Sequence, residues 1–304
     1  MAGKRKKRSR SVCWRLLTSL TIGTLAFAQI QDLQKKAAAG DAVAQTDLAL
    51  SYEHGTGVAQ SFPNALRWYL EAAKQGHAEA QYDAGVLYYK GQGTVRNLAE
   101  AIRLWTLSAA QGHPGAQFNL GIAYERGEGV ERNFKQALHW YRESAEQETA
   151  SAQHNLGLMY ERGLGVEKDE GEAAKWYTLA SGQNFAASQH SLATLYNSGR
   201  GVEKDPAQAL HLWRLAAEQG YVSSQYNLAV LYMNGEAGVP STDESMVQAG
   251  KWATLAAASG QAATIQLKNS IEAVLLTSQR ERTKAFVEAW KPCQSKTECE
   301  AAAK

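Results

Sequence analysis

Two histidines, two cysteines and a few repeated acid–base pairs are the residues of this 304-residue chain that could do chemistry. His154 and His190 each directly follow a glutamine and are 36 residues apart. Imidazoles can share a metal ion, but copies on adjacent packed helices stand about 10 Å apart. That is too far for one ion, so they read as a pair of surface histidines. Glu125 and Glu161 repeat in the same way, as do Arg126 and Arg162. Paired carboxylates can serve as an acid–base couple; in a repeated position they read as a solvated face. The chain has no H-E-x-x-H, G-x-S-x-G, Walker loop or S-x-x-K, and so no acylable serine beside a lysine. No catalytic residue, cofactor site or metal site is expected, and the chain reads as non-enzymatic. Cys293 and Cys299 have no histidine near them to complete a metal site. In an exported chain they would form a small disulfide ring.

The elements that carry these residues are copies of one another. Gln45, Gln81, Gln117, Gln153, Gln189 and Gln225 recur every 36 residues, and seven residues after each stands Tyr52, Tyr88, Tyr124, Tyr160, Tyr196 or Tyr232. A fixed period of this length marks a solenoid. From each Gln, apolar positions at helical spacing define a helix A. Its fourth position is always small (Ala49, Gly85, Gly121, Gly157, Ala193, Ala229), so a neighbouring helix can approach, and the Tyr is expected to cover the gap. A glycine ten residues after the Gln closes helix A. A second glycine follows at Gly57, Gly93, Gly129, Gly165 and Gly201, making the G-x-G run a turn and not a phosphate loop.

Ser61, Asn97, Asn133, Asp169 and Asp205 are N-cap types that open a helix B. Its aromatics, Trp68-Tyr69, Trp105, Trp140-Tyr141, Trp176-Tyr177 and Trp213, are expected to be inter-helix core together with the helix-A tyrosines. Helix B closes at Gly76, Gly112 and Gly220; the third copy has Glu148 and the fourth Asn184 at that place. The reading is all-α: an alpha-alpha superhelix (solenoid) of six 36-residue helix–turn–helix repeats with helical caps.

The pattern A-Q-x-x-L-G-x-x-Y-x-x-G-x-G-V, followed by A-x-x-W-Y, stands nearly whole in residues 116–148. It resembles the Sel-1-like repeat, a relative of the tetratricopeptide repeat, and the likeness covers about residues 29–260. The resemblance implies a protein-binding scaffold of antiparallel helix pairs, whose partner is a protein or peptide held in a concave groove. By the same likeness, groove positions lie one, five, eight and nine residues after each Gln. They include Tyr82, Val86, Tyr89, Lys90, Phe118, Ile122, Arg126, His154, Leu158, Arg162, His190 and Tyr226. Tyr82, Tyr89 and Phe118, with Lys90 and Arg126, are the expected anchor patch, since aromatics and Arg dominate interfaces.

Outside the repeats, residues 1–28 read as a signal peptide: a basic start, an apolar run from Leu16 to Phe27, and Ala26-Phe27-Ala28 as the cleavage site after Ala28. Cys13 precedes the apolar run, without a lipobox around it. The run is shorter than the ~20 residues of a spanning helix, so no membrane span remains after cleavage. Cleavage removes seven of 32 basic residues and leaves 25 against 30 acidic, a net charge of −5. No basic stripe is left for nucleic acid. The absence of an N-x-S/T sequon favours a bacterial periplasm over a eukaryotic lumen, so the expected location is periplasmic or secreted.

The expected boundaries are 29–40 for an N-terminal capping helix and 44–79, 80–115, 116–151, 152–187, 188–223 and 224–263 for the repeats. The last carries a four-residue insertion around Glu236 to Glu244. Residues 261–290 read as C-terminal capping helices, the second capped by Thr277 or Ser278, and 291–304 as a polar tail. The function expected is an exported interaction scaffold of the bacterial envelope. The alternative, a protein that binds or processes cell-wall glycan, needs convergent acids or a nucleophile that the sequence does not display.

Overall fold

A computed structural model describes residues 29–236 and 242–303. The signal peptide expected over 1–28 lies outside these residues, and so does Pro240 within the expected insertion. Among the described residues there are sixteen helices and no strands. The chain divides into two compact units, one ending at Arg132 and the other starting at Asn133.

The first unit holds α1 (29–38), α2 (Ala42–His54), α3 (Phe62–Lys74), α4 (Ala78–Lys90), α5 (Leu98–Ala109) and α6 (Pro114–Arg126). The second holds α7 (Phe134–Glu146), α8 (Ala150–Arg162), α9 (Glu170–Gly182), α10 (Ala186–Ser198), α11 (Pro206–Glu218), α12 (Val222–Asn234), α13 (Asp243–Ala257), α14 (Ala262–Val274), α15 (Thr277–Ala289) and α16 (Lys296–Ala302). Within each unit, successive helices pair as antiparallel hairpins that stack in sequence, the packing of a solenoid. In the first unit α1 lies against the first hairpin through Ile30 and Ala37.

The caps set the helix limits. Ser61, Asn97, Asn133, Asp169 and Asp205 each accept a hydrogen bond from a backbone N–H of the first turn they open. Pro206 takes the first helical position of α11, where its missing N–H costs nothing. Glu148 and Asn184 keep the left-handed backbone of the glycines they replace, at φ of 62° and 64°. Asparagine tolerates this conformation; for Glu148 the cost is about 1 kcal/mol. That turn is not remodelled: Glu148 N–H still donates to the carbonyl of Ala145 at 3.0 Å.

The second glycine of each turn answers to a neighbour. At Gly201 φ is +67°, and a Cβ would stand 2.2 Å from the carbonyl carbon of Glu170, the first residue of α9. Backbone touches backbone there, so no side chain fits.

The core is narrower than expected. Tyr69, Trp105, Tyr141, Tyr177 and Trp213 on helices B are buried, whereas Trp68, Trp140 and Trp176, one residue earlier, are half-buried. A shift of one residue turns a helical side chain by about 100°, which carries the tryptophans to the edge of the interface. The helix-A tyrosines differ too. Tyr232 is buried, but Tyr52, Tyr88, Tyr124, Tyr160 and Tyr196 are half-buried. The space over the small residue is filled from helix B: a Cβ on Gly85 would stand 2.5 Å from Trp105 Nε1, and one on Gly157 would stand 2.6 Å from Tyr177 Cε1.

The repeated glutamines are buried and tie neighbouring repeats together. Gln45, Gln81, Gln153 and Gln225 donate through Nε2 to the carbonyls of Ala37, Ala73, Ala145 and Ala217, the last turn of the preceding helix. The Oε1 atoms of Gln45, Gln81, Gln153 and Gln189 accept from a second glutamine 30 residues later. Gln75 donates to Gln45 at 2.8 Å, Gln111 to Gln81 at 2.8 Å, Gln183 to Gln153 at 2.9 Å and Gln219 to Gln189 at 2.7 Å. Buried amides need such partners, since an unpaired one costs roughly 1–3 kcal/mol.

The C-terminal segment is folded to its last turn. α14 and α15 both lie on α13. α15 begins at N-cap Leu276, one residue before the expected Thr277; its backbone N–H is satisfied by the Gln279 side chain at 2.8 Å. The expected polar tail instead contains α16, which lies on α11 with Cys299 and Ala303 buried. Cys293 and Cys299 are bonded, their Cα atoms 5.2 Å apart. Glu218, buried at the end of α11, gathers the tail: Oε2 accepts from Trp290 Nε1 at 2.7 Å, its carbonyl accepts from Cys293 N–H at 2.9 Å, and Lys251 lies 3.2 Å away. An amphipathic pattern too short for periodicity hid this helix from the sequence.

Candidate partner-binding face

The residues expected to line a groove lie on helices A, and each line of them has a distinct environment. The first line, one residue after the Gln, is a joint between repeats. Thr46 Oγ1 hydrogen-bonds His77 Nδ1 at 3.0 Å. Tyr82 stacks on His113 with ring centroids 4.5 Å apart, and a Cβ on Gly115 would touch its ring at 3.0 Å. His154 Nδ1 lies 2.9 Å from Ser188 Oγ, and His190 Nδ1 lies 2.9 Å from Ser224 Oγ. Phe118 and Tyr226 are half-buried in the same line.

The two histidines are therefore not a surface pair. Burial, then the charges of Arg162 and His190, lowers His154 to a pKa of about 4; burial lowers His190 to about 4. Both rings are neutral at physiological pH, and each bridges to the first turn of the next helix A.

Eight residues after the Gln, the side chains answer the aromatic of the paired helix B. Glu53 accepts from Tyr69 OH at 2.9 Å and Glu161 accepts from Tyr177 OH at 2.7 Å. Opposite Trp105, which has no hydroxyl, the place is taken by Tyr89, with ring centroids 5.5 Å apart. Tyr89 OH donates to Glu128 at 2.7 Å, a bond that raises its pKa, and Arg96 lies over its ring. Glu161 is thus a structural acceptor, held also by Arg200 at 3.4 Å. Of the expected anchor patch, Tyr82 and Tyr89 are engaged within the chain, while Lys90 and Arg126 are exposed.

The fifth line is mostly apolar and half-buried. Val86 and Ile122 in the first unit, and Leu158 and Val230 in the second, are half-buried, Leu158 against the core. Arg162 stands exposed one turn beyond Leu158.

One line escaped the sequence reading: the second residue after the Gln. It holds Asn119, which hydrogen-bonds Tyr82, and the half-buried Asn155 and Asn227. Asp83 occupies it in α4, where burial and then the charges of Glu79 and Glu53 push its carboxyl up to about 7. The recurrence of Asn two residues after Gln was the available signal. Among the described residues no three His, Cys, Asp or Glu side chains are grouped so as to hold a metal ion. Nor is any helix of those residues long and apolar enough to cross a membrane.

The family model of the Sel1 repeat matches six times, at residues 42–77, 78–113, 114–148, 150–185, 186–221 and 222–261. The chain belongs to the Sel1 repeat family. Each match takes in one helix A and one helix B, so the Sel1 repeat begins at helix A as the hairpins do.

Two solved Sel1 structures are similar over most of the chain. One is c5321, a protective antigen present in uropathogenic Escherichia coli strains and displaying an SLR fold. It is 31% identical with a TM-score of 0.75, covering 84% of this chain and 55% of that one. The chain thus spans about half the length of that protein. The other is a Sel1 repeat protein from Oxalobacter formigenes, 30% identical with a TM-score of 0.65, covering 77% of this chain and 96% of that one. No curated protein matches this chain. Sel1 repeats commonly mediate protein–protein interaction, and such scaffolds are typically non-enzymatic.

Proposed function

We propose that this Sel1 repeat protein is an exported scaffold that binds a segment of a protein partner along its helix-A faces in the bacterial envelope. The observation that carries the reading is the fifth line. Val86, Ile122 and Val230 are only half-buried, as is Leu158 at the edge of the core, although the neighbouring lines are engaged in holding repeats together. Half-buried aliphatics flanked by exposed Lys90, Arg126 and Arg162 are the mixture that seats a peptide: apolar surface for burial, cations at the rim for orientation. Tyr82, Phe118, His154, His190 and Tyr226 act behind this face, fixing the spacing of the helices that present it. Tyr89 acts in the same way for α4 and α5. Export is supported by the basic stretch, the short apolar run and the Ala26-Phe27-Ala28 site.

The test is capture from envelope extract, with a muropeptide titration run beside it. Ile122→Asp in the first unit and Arg162→Glu in the second should each weaken capture of one stoichiometric protein by about tenfold or more, with little change in melting temperature. Capture equal to that of the unmodified protein, or saturable glycan turnover in its place, overturns the reading.

A further inference from the structure

The tail lies as a strap across the turns that close the fourth and fifth repeats. It holds the C-terminal end of a helix B at each of them. Lys296 Nζ donates to the carbonyl of Gly182, the last residue of α9, at 3.0 Å. Cys293 N–H donates to the carbonyl of Glu218, the last residue of α11, at 2.9 Å. Trp290 and Pro292 lie over the next turn, where a Cβ on Gly220 would stand 3.8 Å from the one and 4.0 Å from the other. The corresponding turns of the first unit are uncovered: among the described residues, a Cβ on Gly76 or Gly112 would meet nothing within 4 Å.

Asn184 joins the strap to the repeats. It closes the fourth repeat where Gly76, Gly112 and Gly220 close others, and it keeps their left-handed backbone. Its Nδ2 donates to Cys299 Sγ at 3.7 Å. Its Oδ1 accepts from Gln189 Nε2 at 3.1 Å and from Gln219 Nε2 at 3.2 Å. Gln189 is thereby an exception among the repeated glutamines. Gln45, Gln81, Gln117, Gln153 and Gln225 all donate to the carbonyl eight residues earlier, whereas Gln189 donates to Asn184. One side chain therefore touches the disulfide and takes over the amide bond that joins the fourth repeat to the fifth.

The disulfide is the part of this contact that chemistry can undo. Cys299 is the only buried residue of the seven-residue α16, and a helix that short does not persist by itself. We infer that the Cys293–Cys299 bond is a redox gate: closed, it holds the tail on α9 and α11 and fixes the joint of the fourth and fifth repeats through Asn184; opened by a dithiol, it loosens both. The thiolate of the dithiol attacks Cys293 Sγ, the less enclosed sulfur at 7% residue exposure against 0% for Cys299. Cys299 Sγ leaves as a thiolate and takes up a proton. The second thiol of the reductant then displaces Cys293 Sγ, which is protonated in turn. The chain has gained two electrons and two protons as two thiols, and the dithiol leaves as a disulfide. The inference goes beyond partner capture and does not depend on it.

Hydrogen exchange of the full chain, oxidised and after dithiothreitol, tests the gate, with reduction checked by the appearance of two new thiols per chain. Reduction should speed exchange at least about tenfold in residues 290–303 and in residues 184–190. Residues 76–82 and 112–118, at the uncovered turns, should not change. Cys293→Ser/Cys299→Ser should give the reduced pattern without any reductant. Asn184→Gly restores the residue of the other turns and leaves Gln189 the carbonyl eight residues earlier, that of Ser181. In that variant reduction should still free the tail but no longer speed exchange at 184–190. A bond that resists dithiothreitol in the folded chain overturns the inference, and so does a reduced tail that exchanges as the oxidised one does. A response confined to the tail in the wild type, or one at 184–190 that survives Asn184→Gly, overturns it as well.

Discussion

His190 on α10 and Ser224 in the first turn of α12 belong to successive repeats but share one hydrogen bond, 2.9 Å between Nδ1 and Oγ. The same bond joins His154 to Ser188. A protonated Nδ1 could no longer accept from the hydroxyl, and a charged ring would sit in a site that burial has already made unfavourable for it.

Acid should therefore loosen the second unit. The folded pKa of each histidine, about 4, lies below its ordinary 6.5. Between those values the unfolded chain holds more protons than the folded one. The stabilisation is complete above pH 6.5 and is lost as pH falls toward 4. By pH 5 the loss is about 2 kcal/mol per histidine. Urea midpoints at pH 7.5 and pH 5 should differ accordingly, and His190→Gln should flatten the difference by about half. An unchanged pH dependence in that variant would assign the effect elsewhere.

Gly201→Ala should be far more damaging than the same change at Gly112. Both have positive φ, +67° and +87°, so both lose backbone freedom on substitution. At Gly112 nothing lies within 4 Å of the new Cβ, whereas at Gly201 it meets the Glu170 backbone at 2.2 Å. The expected cost is about 1 kcal/mol at Gly112 and over about 3 kcal/mol at Gly201. Thermal unfolding of the two variants decides the matter; equal losses would show that the α9 backbone yields freely.

Removing the disulfide should free the tail without dismantling the repeats. The ring from Cys293 to Cys299 is short, so its loss costs about 2 kcal/mol. Glu218 would keep Lys251 but lose the ordered Trp290 and Cys293 partners. Limited proteolysis of Cys293→Ser/Cys299→Ser should cut within residues 290–303 while the helical circular dichroism stays nearly constant. Resistance equal to the wild type would mean that α16 is held by packing alone.

Much of this architecture was legible because the repeat period exposes whatever the fold demands six times over. The N-cap residues, the closing glycines and the small fourth position of helix A each have a local backbone or steric cause, so residue type alone reveals them. Burial was harder to read. Trp68 and Tyr69 are adjacent and both large, and only the rotation of α3 decides that Tyr69 is enclosed while Trp68 is not. Likewise His154 looked like surface because its partner, Ser188, comes from the next repeat. The second glutamine of each amide pair went unrecognised for the same reason: Gln219 meets Gln189 only after two hairpins have stacked. The α14–α15 region lies beyond the last repeat, where no recurrence reports which side of a helix faces inward.

The glutamine pairs set a rule for how such a chain can grow. At four junctions a repeat offers one amide oxygen forward and takes one amide hydrogen in return, so these junctions share one pattern. Duplicating a whole 36-residue unit leaves the sequence of donors and acceptors in phase, while gaining or losing a single residue inside a helix rotates one amide away and orphans two. Length in this architecture is therefore quantised, which is how a longer relative can share the same repeat fold.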